Sequence, residues 1–455
     1  MLYDFIQANK SEKKPMYRQI YLSIRQAIES GSLKQGSKLP SIRKLSADKN
    51  ISKTTVSAAY EQLCAEGYIL NKPQSGYYVA AKFERQPKPG DTLSAPAPQS
   101  RFYRYDFSGK SIDESIVDLA EWKKCIKDVI NRTYLLTSYG DSQGEEPLRL
   151  ALQKYALGTR SANARADSIV VGAGTQAILY LLCSLLGYGK TVVMEEGSFV
   201  QSELIFKSFN YRIAYAETDA NGMTVHSLKE YSPDVILINP NAAGIYGENM
   251  PVTRRLELIE WAQKNNALIF EDDYNGELRY STLPMPCVQN YDTENTVYIG
   301  SFSKVLLPSV RLSYTVLPPQ LLTRYNSVKR LMNQTASKTE QLALAQYINN
   351  GKIDVHLRKA RRIYLQKSKR MLKSINACLP GAKTAFNETS LYLTVTPPFA
   401  VDREKVLALL AEKSVRLMIS NSRAASFALS FSGIETQRID EGVRLFCEAL
   451  KQSRI

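Results

Sequence analysis

TVYIGSFSK, residues 296–304, is an apolar run that ends in small polar residues and a lysine. A short apolar run with polar ends predicts a buried β-strand, here residues 296–301. Strands of this kind that alternate with helical stretches predict an α/β domain with a mostly parallel central sheet, covered by helices on both faces. Four similar runs occur earlier in the chain, at residues 168–172, 191–195, 234–239 and 267–272.

Lys304 stands directly after this predicted strand. Ligands of mostly parallel sheets bind beyond the carboxyl ends of the strands, so the polar residues there are candidates for a site. A lysine in a partly dry site has a lowered pKa and can form a Schiff base with an aldehyde. The hydroxyls of Ser301 and Ser303, just before Lys304, can bind a phosphate together with Arg311, which lies seven residues after it. By itself, a lysine at a strand end is more often a plain surface residue.

An acidic segment, LIFEDDY at residues 268–274, ends the preceding predicted strand. A carboxylate there can keep a pyridinium nitrogen protonated, which makes the ring an electron sink. Asp272 is the candidate for this role, and Tyr274 can donate a hydrogen bond to a phenolate oxygen. The alternative interpretation is an ordinary loop with exposed acids.

Two further segments follow predicted strands and can contact a ligand. In GAGTQ, residues 172–176, a glycine-rich turn leads into an apolar helix, and such a helix N-terminus binds anions. Gly174, Thr175 and Gln176 are the candidates. Phe199 follows another strand and can stack on a flat ring, although a plain core phenylalanine is an equally good interpretation.

The first eighty residues differ from the rest in charge and pattern. They hold 12 Lys and Arg against 6 Asp and Glu, which favours a polyanionic partner. Ser41 and Ser52 are typical N-caps of two short helices, and small polar and basic side chains at the start of the second suit insertion into a DNA major groove. Residues 68–79 then predict a β-hairpin.

A proline-rich stretch, residues 82–100, separates this part from the rest and predicts a flexible tether. We therefore predict a DNA-binding domain at residues 1–81, a linker at 82–104 and a cofactor- and effector-binding domain at 105–455. Only two histidines and six scattered cysteines without a CxxC pair occur, so no metal site is expected. The chain has no apolar run of membrane length and no secretory leader, which predicts a cytoplasmic protein without a membrane partner.

Residues 38–79, KLPSIRKLSADKNISKTTVSAAYEQLCAEGYILNKPQSGYYV, resemble the GntR-type winged helix-turn-helix over its full length. The family pattern LPS-x-R is present, whereas lysine replaces the usual arginine before the two threonines. The alternative is a helical protein–protein module. The resemblance implies that the residues contacting double-stranded operator DNA include Ser41, Arg43, Lys53, Thr54, Thr55 and the wing glycine Gly76.

Residues 105–455 resemble the fold-type I, aminotransferase-like enzymes that use pyridoxal 5'-phosphate (PLP), and most closely the MocR/GabR regulators. The segment SFSKVLLPSVRLSY, residues 301–314, matches the family's lysine segment. The resemblance implies that Lys304 forms the Schiff base with PLP and that Arg311 binds its phosphate. The segment EDDY implies pyridine-nitrogen and phenolate partners at Asp272 and Tyr274, with Asp273 as the alternative acid.

The resemblance also has implications for the effector and the assembly. Ala242 stands where the family usually has a histidine, which alters the floor of the cofactor site. Arg423 roughly matches a carboxylate-binding arginine, so a small amino compound with a carboxylate is the implied effector, unless PLP itself is the signal. A head-to-tail homodimer is implied as well.

Together these features predict a transcriptional regulator without physiological turnover. Two alternatives remain open at this point. The chain can be a working aminotransferase whose N-terminal domain controls its own level, or a DNA-binding protein whose degenerate large domain has lost PLP.

Overall fold

The computed structural model describes residues 6, 14–80, 103–243, 249–280, 285–387, 389–418 and 426–455. The chain divides into two compact units, residues 1–100 and 101–455. Nearly all of the predicted linker falls outside the described residues, so the predicted domain boundaries stay predictions. No helix in the described part of the chain is long and apolar enough to cross a membrane.

The first unit contains three helices and a hairpin, and these include the two capped helices and the hairpin that the sequence predicts. The hydroxyls of Ser41 and Ser52 accept from the backbone N–H of Lys44 and Thr55, so both predicted N-caps are present. Tyr60 donates to the carbonyl of Pro40 across the buried interior. The elements are α1 (Met16–Glu29), α2 (Ile42–Lys49), α3 (Lys53–Ala65), β1 (Ile69–Lys72) and β2 (Gly76–Val79).

The second unit is an α/β domain that contains a large sheet and several small ones. Its strands are β3 (Tyr105–Phe107), β4 (Ile169–Gly172), β5 (Thr191–Met194), β6 (Arg212–Tyr215), β7 (Thr218–Asp219), β8 (Gly222–Met223), β9 (Val235–Ile238), β10 (Leu268–Asp273), β11 (Thr296–Ser301), β12 (Ser313–Val316), β13 (Lys383–Ala385), β14 (Tyr392–Thr396), β15 (Val415–Leu417) and β16 (Phe427–Ser430).

Helices cover both faces of the large sheet. Their apolar sides pack against its strands and bury them. Its two faces pack into separate apolar clusters of buried residues. The helices are α4 (Leu119–Ile130), α5 (Thr133–Leu136), α6 (Glu146–Arg160), α7 (Thr175–Leu186), α8 (Val200–Ser208), α9 (Val225–Tyr231), α10 (Val252–Asn265), α11 (Pro319–Val328), α12 (Lys338–Asn349), α13 (Lys352–Cys378), α14 (Arg403–Glu412) and α15 (Ile439–Gln452).

The large sheet has the strand order β4-β12-β11-β10-β9-β5-β6. Strand β12 runs antiparallel to both neighbours, and every other neighbouring pair is parallel. All five predicted strands lie in this sheet within one residue of their predicted ends. The predicted mostly parallel α/β architecture is therefore confirmed.

The C-terminal part of the second unit packs a small antiparallel sheet, β13-β14-β16, against long helices. Strand β3, which opens the unit, pairs in parallel with β15 of this part. Helix α13 has 27 residues and is therefore about 40 Å long. It packs against α15 and also contacts the segment that follows β3, so it connects both ends of the unit.

Candidate functional site

The carboxyl ends of the parallel strands meet at one edge of the large sheet. Within the ladder, Asp272 pairs with Ile299, and Ser301 pairs with Ser313. Ser313 also pairs with Gly172 at the end of β4. The segments that follow β4, β10 and β11 are therefore neighbours, together with the residues that precede the antiparallel β12. This edge is where a mostly parallel sheet binds its ligand.

Lys304 lies in a tight turn directly after β11. The backbone N–H of Leu306 donates to the carbonyl of Phe302 at 2.8 Å and closes this turn. The half-buried Lys304 side chain donates from its amine to the carbonyl of Gly109. Burial lowers the pKa of the Lys304 amine, while the charge of Asp106 acts in the opposite direction. A larger fraction of this amine is therefore unprotonated, and nucleophilic, than of an exposed lysine at the same pH.

The two neighbouring acids at the end of β10 have different surroundings. Asp273 accepts hydrogen bonds from Arg160 at 2.5 Å, Asn241 at 2.7 Å and Tyr298 at 2.9 Å. Asp272 is also buried, but its Oδ1 has no hydrogen-bond partner among the described residues. Burial and the charge of Asp273 raise the pKa of Asp272 to about 7. Asp272 is thus the acid that is left open for a ligand.

A cradle for an anion lies at the N-terminus of α7. Gly174 has φ of 90°, and a Cβ at this position would come within 2.5 Å of the Arg311 guanidinium. Only glycine lets the backbone and the guanidinium approach so closely. The positive end of the α7 dipole begins at Thr175, followed by the exposed Gln176. Backbone N–H groups and a cation therefore converge where the sequence predicts a phosphate.

The serines of the lysine segment differ in exposure. Ser301 is buried and accepts a hydrogen bond from Ser313 at 3.0 Å, whereas Ser303 is half-buried. Its backbone N–H donates to the Ser301 hydroxyl at 3.4 Å. Both serines therefore flank the same turn as Lys304, with Ser303 the more accessible.

The aromatic candidates are both half-buried. Tyr274 directly follows β10, and burial raises the pKa of its phenol, so this hydroxyl remains protonated and can donate a hydrogen bond. Phe199 precedes α8 beyond the end of β5 and packs against the apolar core. Ala242 lies in the loop after β9 and is half-buried. Arg423, the predicted effector contact, lies outside the described residues.

A buried polar network behind the site was not predicted from the sequence. Arg160, at the end of α6, donates to Asp273 and to the carbonyl of Met285, and its side chain is 1% exposed. Glu277 accepts from Tyr155 at 3.1 Å within the same interior. Arg160 and Asp273 are 113 residues apart, so no local pattern connects them. The only available signal in the sequence was the charged Arg160 next to the apolar face of α6.

The winged-helix unit presents its predicted contacts at the start of α3 and on α2. Arg43, Lys53 and Thr54 are exposed. Thr55 is half-buried, and its hydroxyl lies 2.7 Å from that of Ser52. Ser41 is exposed although its hydroxyl caps α2.

The hairpin forms a basic wing. Gly76 has φ of 105° and starts β2, as expected for a turn glycine. The amines of Lys38 and Lys72 lie 5.6 and 4.9 Å from the centre of the half-buried Tyr78 ring. Both amines are held by cation–π contacts. These two lysines were not among the DNA contacts predicted from the sequence.

Comparison with known proteins agrees with this architecture. The family "Bacterial regulatory proteins, gntR family" matches residues 16–79. The HTH-type transcriptional regulator YhdI of Bacillus subtilis is 32% identical, over 97% of this chain and 96% of its own length. The rhizopine catabolism regulatory protein MocR of Rhizobium meliloti is 29% identical over 78% of this chain and 76% of its own length.

Among solved structures, the kynurenine aminotransferase of Pyrococcus horikoshii, in complex with PMP, superimposes with a TM-score of 0.69. It is 23% identical and covers 78% of this chain and 92% of its own. This likeness concerns the fold of the large unit. The chain therefore belongs to the MocR-type HTH transcriptional regulators, in which a GntR winged helix precedes an aminotransferase-like domain.

Proposed function

We propose that this regulator binds PLP on Lys304 and that occupancy of this site changes how its winged helix binds operator DNA. One observation carries the proposal. A single sheet edge brings together a lysine amine with a lowered pKa, the open acid Asp272 and the cradle of Gly174 and Arg311. These are the three groups that an aldehyde, a pyridine nitrogen and a phosphate require.

Each residue has a specific role in this proposal. Bound PLP supplies an aldehyde and an electron-withdrawing pyridinium ring. Lys304 binds the aldehyde carbon through its amine, and Asp272 holds a proton at the ring nitrogen. Tyr274 donates to the ring hydroxyl, and Phe199 stacks on the ring. The groups that bind the phosphate are the backbone N–H groups and side chains of Gly174, Thr175, Gln176, Ser301, Ser303 and Arg311.

The proposed signal is either PLP itself or an amino compound that competes with Lys304 for the same aldehyde. Arg423 is proposed to bind the carboxylate of such an effector. We further propose a head-to-tail homodimer. In each subunit the segment 82–104 joins the winged helix to the large domain, and the two winged helices bind two half-sites of double-stranded operator DNA.

A titration of the apo-protein with PLP tests the proposal. Visible absorbance reports cofactor binding, and fluorescence anisotropy of a labelled operator reports DNA affinity in the same samples. We expect the operator affinity of the wild type to change as PLP saturates, and Lys304→Ala to lose this response. An operator affinity that is independent of PLP and of added amino compounds would contradict the coupling. Turnover with an amino acid and a keto acid would instead support the aminotransferase alternative.

Arg43→Ala should weaken operator binding by about 1–3 kcal/mol, because an arginine that binds a base edge contributes about that much. The exposed Lys44, the next residue on α2, provides a matched control with the same change in charge. Electrophoretic mobility shifts at a fixed salt concentration measure both variants. Equal losses in Arg43→Ala and Lys44→Ala would leave only a general charge effect and remove Arg43 from the base-reading residues.

The stability of the apo-protein should fall as the pH rises from about 4 to about 7. In the folded state the pKa of Asp272 is about 7, above its ordinary 3.8, so folding binds an additional proton between these values. Raising the pH removes this proton and favours the unfolded chain. Urea denaturation measures the effect, and the free energy of unfolding should fall by on the order of 1 kcal/mol per pH unit relative to Asp272→Asn. Parallel pH profiles for the two proteins would show that Asp272 does not titrate in this range.

A further inference from the structure

His356 is one of two histidines in the chain and lies in the interior of the large unit. It belongs to α13 and is only 3% exposed. Its Nε2 lies 2.5 Å from the carbonyl oxygen of Val305, the residue that follows Lys304. Because a carbonyl only accepts, Nε2 must carry the proton and donate it. The histidine thus holds the backbone of the turn that carries the proposed cofactor lysine.

The other ring nitrogen of His356 makes this arrangement costly. Nδ1 is buried and has no hydrogen-bond partner among the described residues. Leaving a buried polar atom unpaired destabilises the folded state, whereas an apolar side chain of similar size would avoid this cost. Packing alone therefore does not favour a histidine here. Within the described structure, the hydrogen bond to Val305 is the contact of the ring that an apolar residue could not replace.

Helix α13 also contacts the segment that follows Gly109, whose carbonyl accepts from the Lys304 amine. Eleven residues after His356, about three helical turns, the fully buried amine of Lys367 pairs with Asp113 at 2.6 Å. The backbone N–H of Asp113 donates to the carbonyl of Ser432 at 2.8 Å. These contacts hold Asp113, four residues after Gly109. One helix therefore contacts both the turn that carries the lysine, through His356, and the segment that follows the carbonyl reached by the amine.

We propose that His356 is a positioning residue for Lys304: by holding the Val305 carbonyl, it keeps the lysine amine in its partly dry place against Gly109. Without this hydrogen bond, the turn relaxes and the amine moves toward water. The charged groups next to His356 are Lys359 and Asp118, and Asp106 lies near the amine itself. None of these three replaces the contact to Val305. The inference rests on the proposed role of Lys304 as the PLP lysine.

The test compares His356→Gln with His356→Met, which have similar length and differ in the N–H donor. Trace acetylation of the apo-protein with acetic anhydride, followed by peptide mass spectrometry across pH, gives the titration midpoint of Lys304 against exposed lysines. We expect His356→Met to move the midpoint about one pKa unit toward that of an exposed lysine, which is a tenfold fall in free amine at neutral pH. His356→Gln should restore most of the shift. The initial rate of PLP binding should change in parallel.

Two results would overturn the proposal. The first is a Lys304 titration midpoint that is the same in folded His356→Met as in the wild type. The second is an equal shift of this midpoint in His356→Met and His356→Gln, which would mean that only the packing of the histidine ring matters. His356→Leu serves as the donor-free variant if near-UV circular dichroism shows that His356→Met does not fold. Acetylation needs no cofactor, so the test remains decisive for His356 even if wild-type Lys304 binds no PLP. Failure of wild-type Lys304 to bind PLP would instead contradict the proposed function.

Discussion

Asp272→Asn should lower the affinity of the large domain for PLP by about 10- to 100-fold. Hydrogen bonds to charged groups contribute about 1.5–3 kcal/mol, and 1.4 kcal/mol corresponds to a tenfold change in affinity. The carboxyl of Asp272 is suited to this bond because its Oδ1 is unpartnered within the described structure and its pKa is raised to about 7. At that pKa the acid can give its proton to a pyridine nitrogen and remain beside it as the counter-ion.

Equilibrium dialysis of the apo-proteins with PLP measures this loss. Asp167→Asn is the matched control, because Asp167 makes an exposed ion pair with Arg165 before the start of β4, at the opposite end of this strand from Gly172, and the substitution changes the charge in the same way. Full retention of PLP by Asp272→Asn would remove this acid from the site. Asp273 would then be the remaining candidate, although its oxygens already accept from Arg160, Asn241 and Tyr298.

Arg160→Met should destabilise the large domain by about 3–5 kcal/mol, because breaking a buried ion pair leaves an uncompensated charge. The pair with Asp273 has side-chain exposures of 1% and 0%. The same guanidinium also donates to the carbonyl of Met285 at 2.7 Å, and this bond is lost as well.

The exposed pair of Arg165 and Asp167 provides the comparison. It has a similar distance, 2.6 Å, but side-chain exposures of 79% and 57%. Arg165→Met should therefore leave the free energy of unfolding nearly unchanged. Urea denaturation followed by tryptophan fluorescence measures both variants, since Trp122 and Trp261 both lie in the large domain. Similar shifts in the two midpoints would contradict the structural role assigned to Arg160.

Local sequence patterns were sufficient for the strands and for the residues at their ends. Strands such as 296–301 are buried on both faces of the sheet, so their sequences are continuously apolar. The polar residues that follow then mark where each strand ends. Lys304 and Asp272 were predicted because polar residues after such runs reach the ligand-binding edge of the sheet. The capping serines of the winged helix were predicted for a similar reason, since an N-cap interacts with residues only two or three positions away.

Contacts between distant residues were beyond these patterns. The choice between Asp272 and Asp273 depends on Arg160, which is 113 residues from Asp273. The antiparallel direction of β12 was also not predicted, because a four-residue strand carries no signal of its direction. The positive φ of Arg311, 51°, is set by the same turn that brings its guanidinium to Gly174.

In the proposed function, the amine of Lys304 binds the aldehyde of PLP. Borohydride reduction of the PLP-loaded protein makes this bond permanent, and digestion followed by mass spectrometry locates it. We predict a pyridoxyl adduct on the peptide that contains Lys304, and no adduct on the corresponding peptide of Lys304→Arg treated in the same way. Reduction that leaves Lys304 unmodified, or that labels it no more than the surface lysines, would contradict this binding.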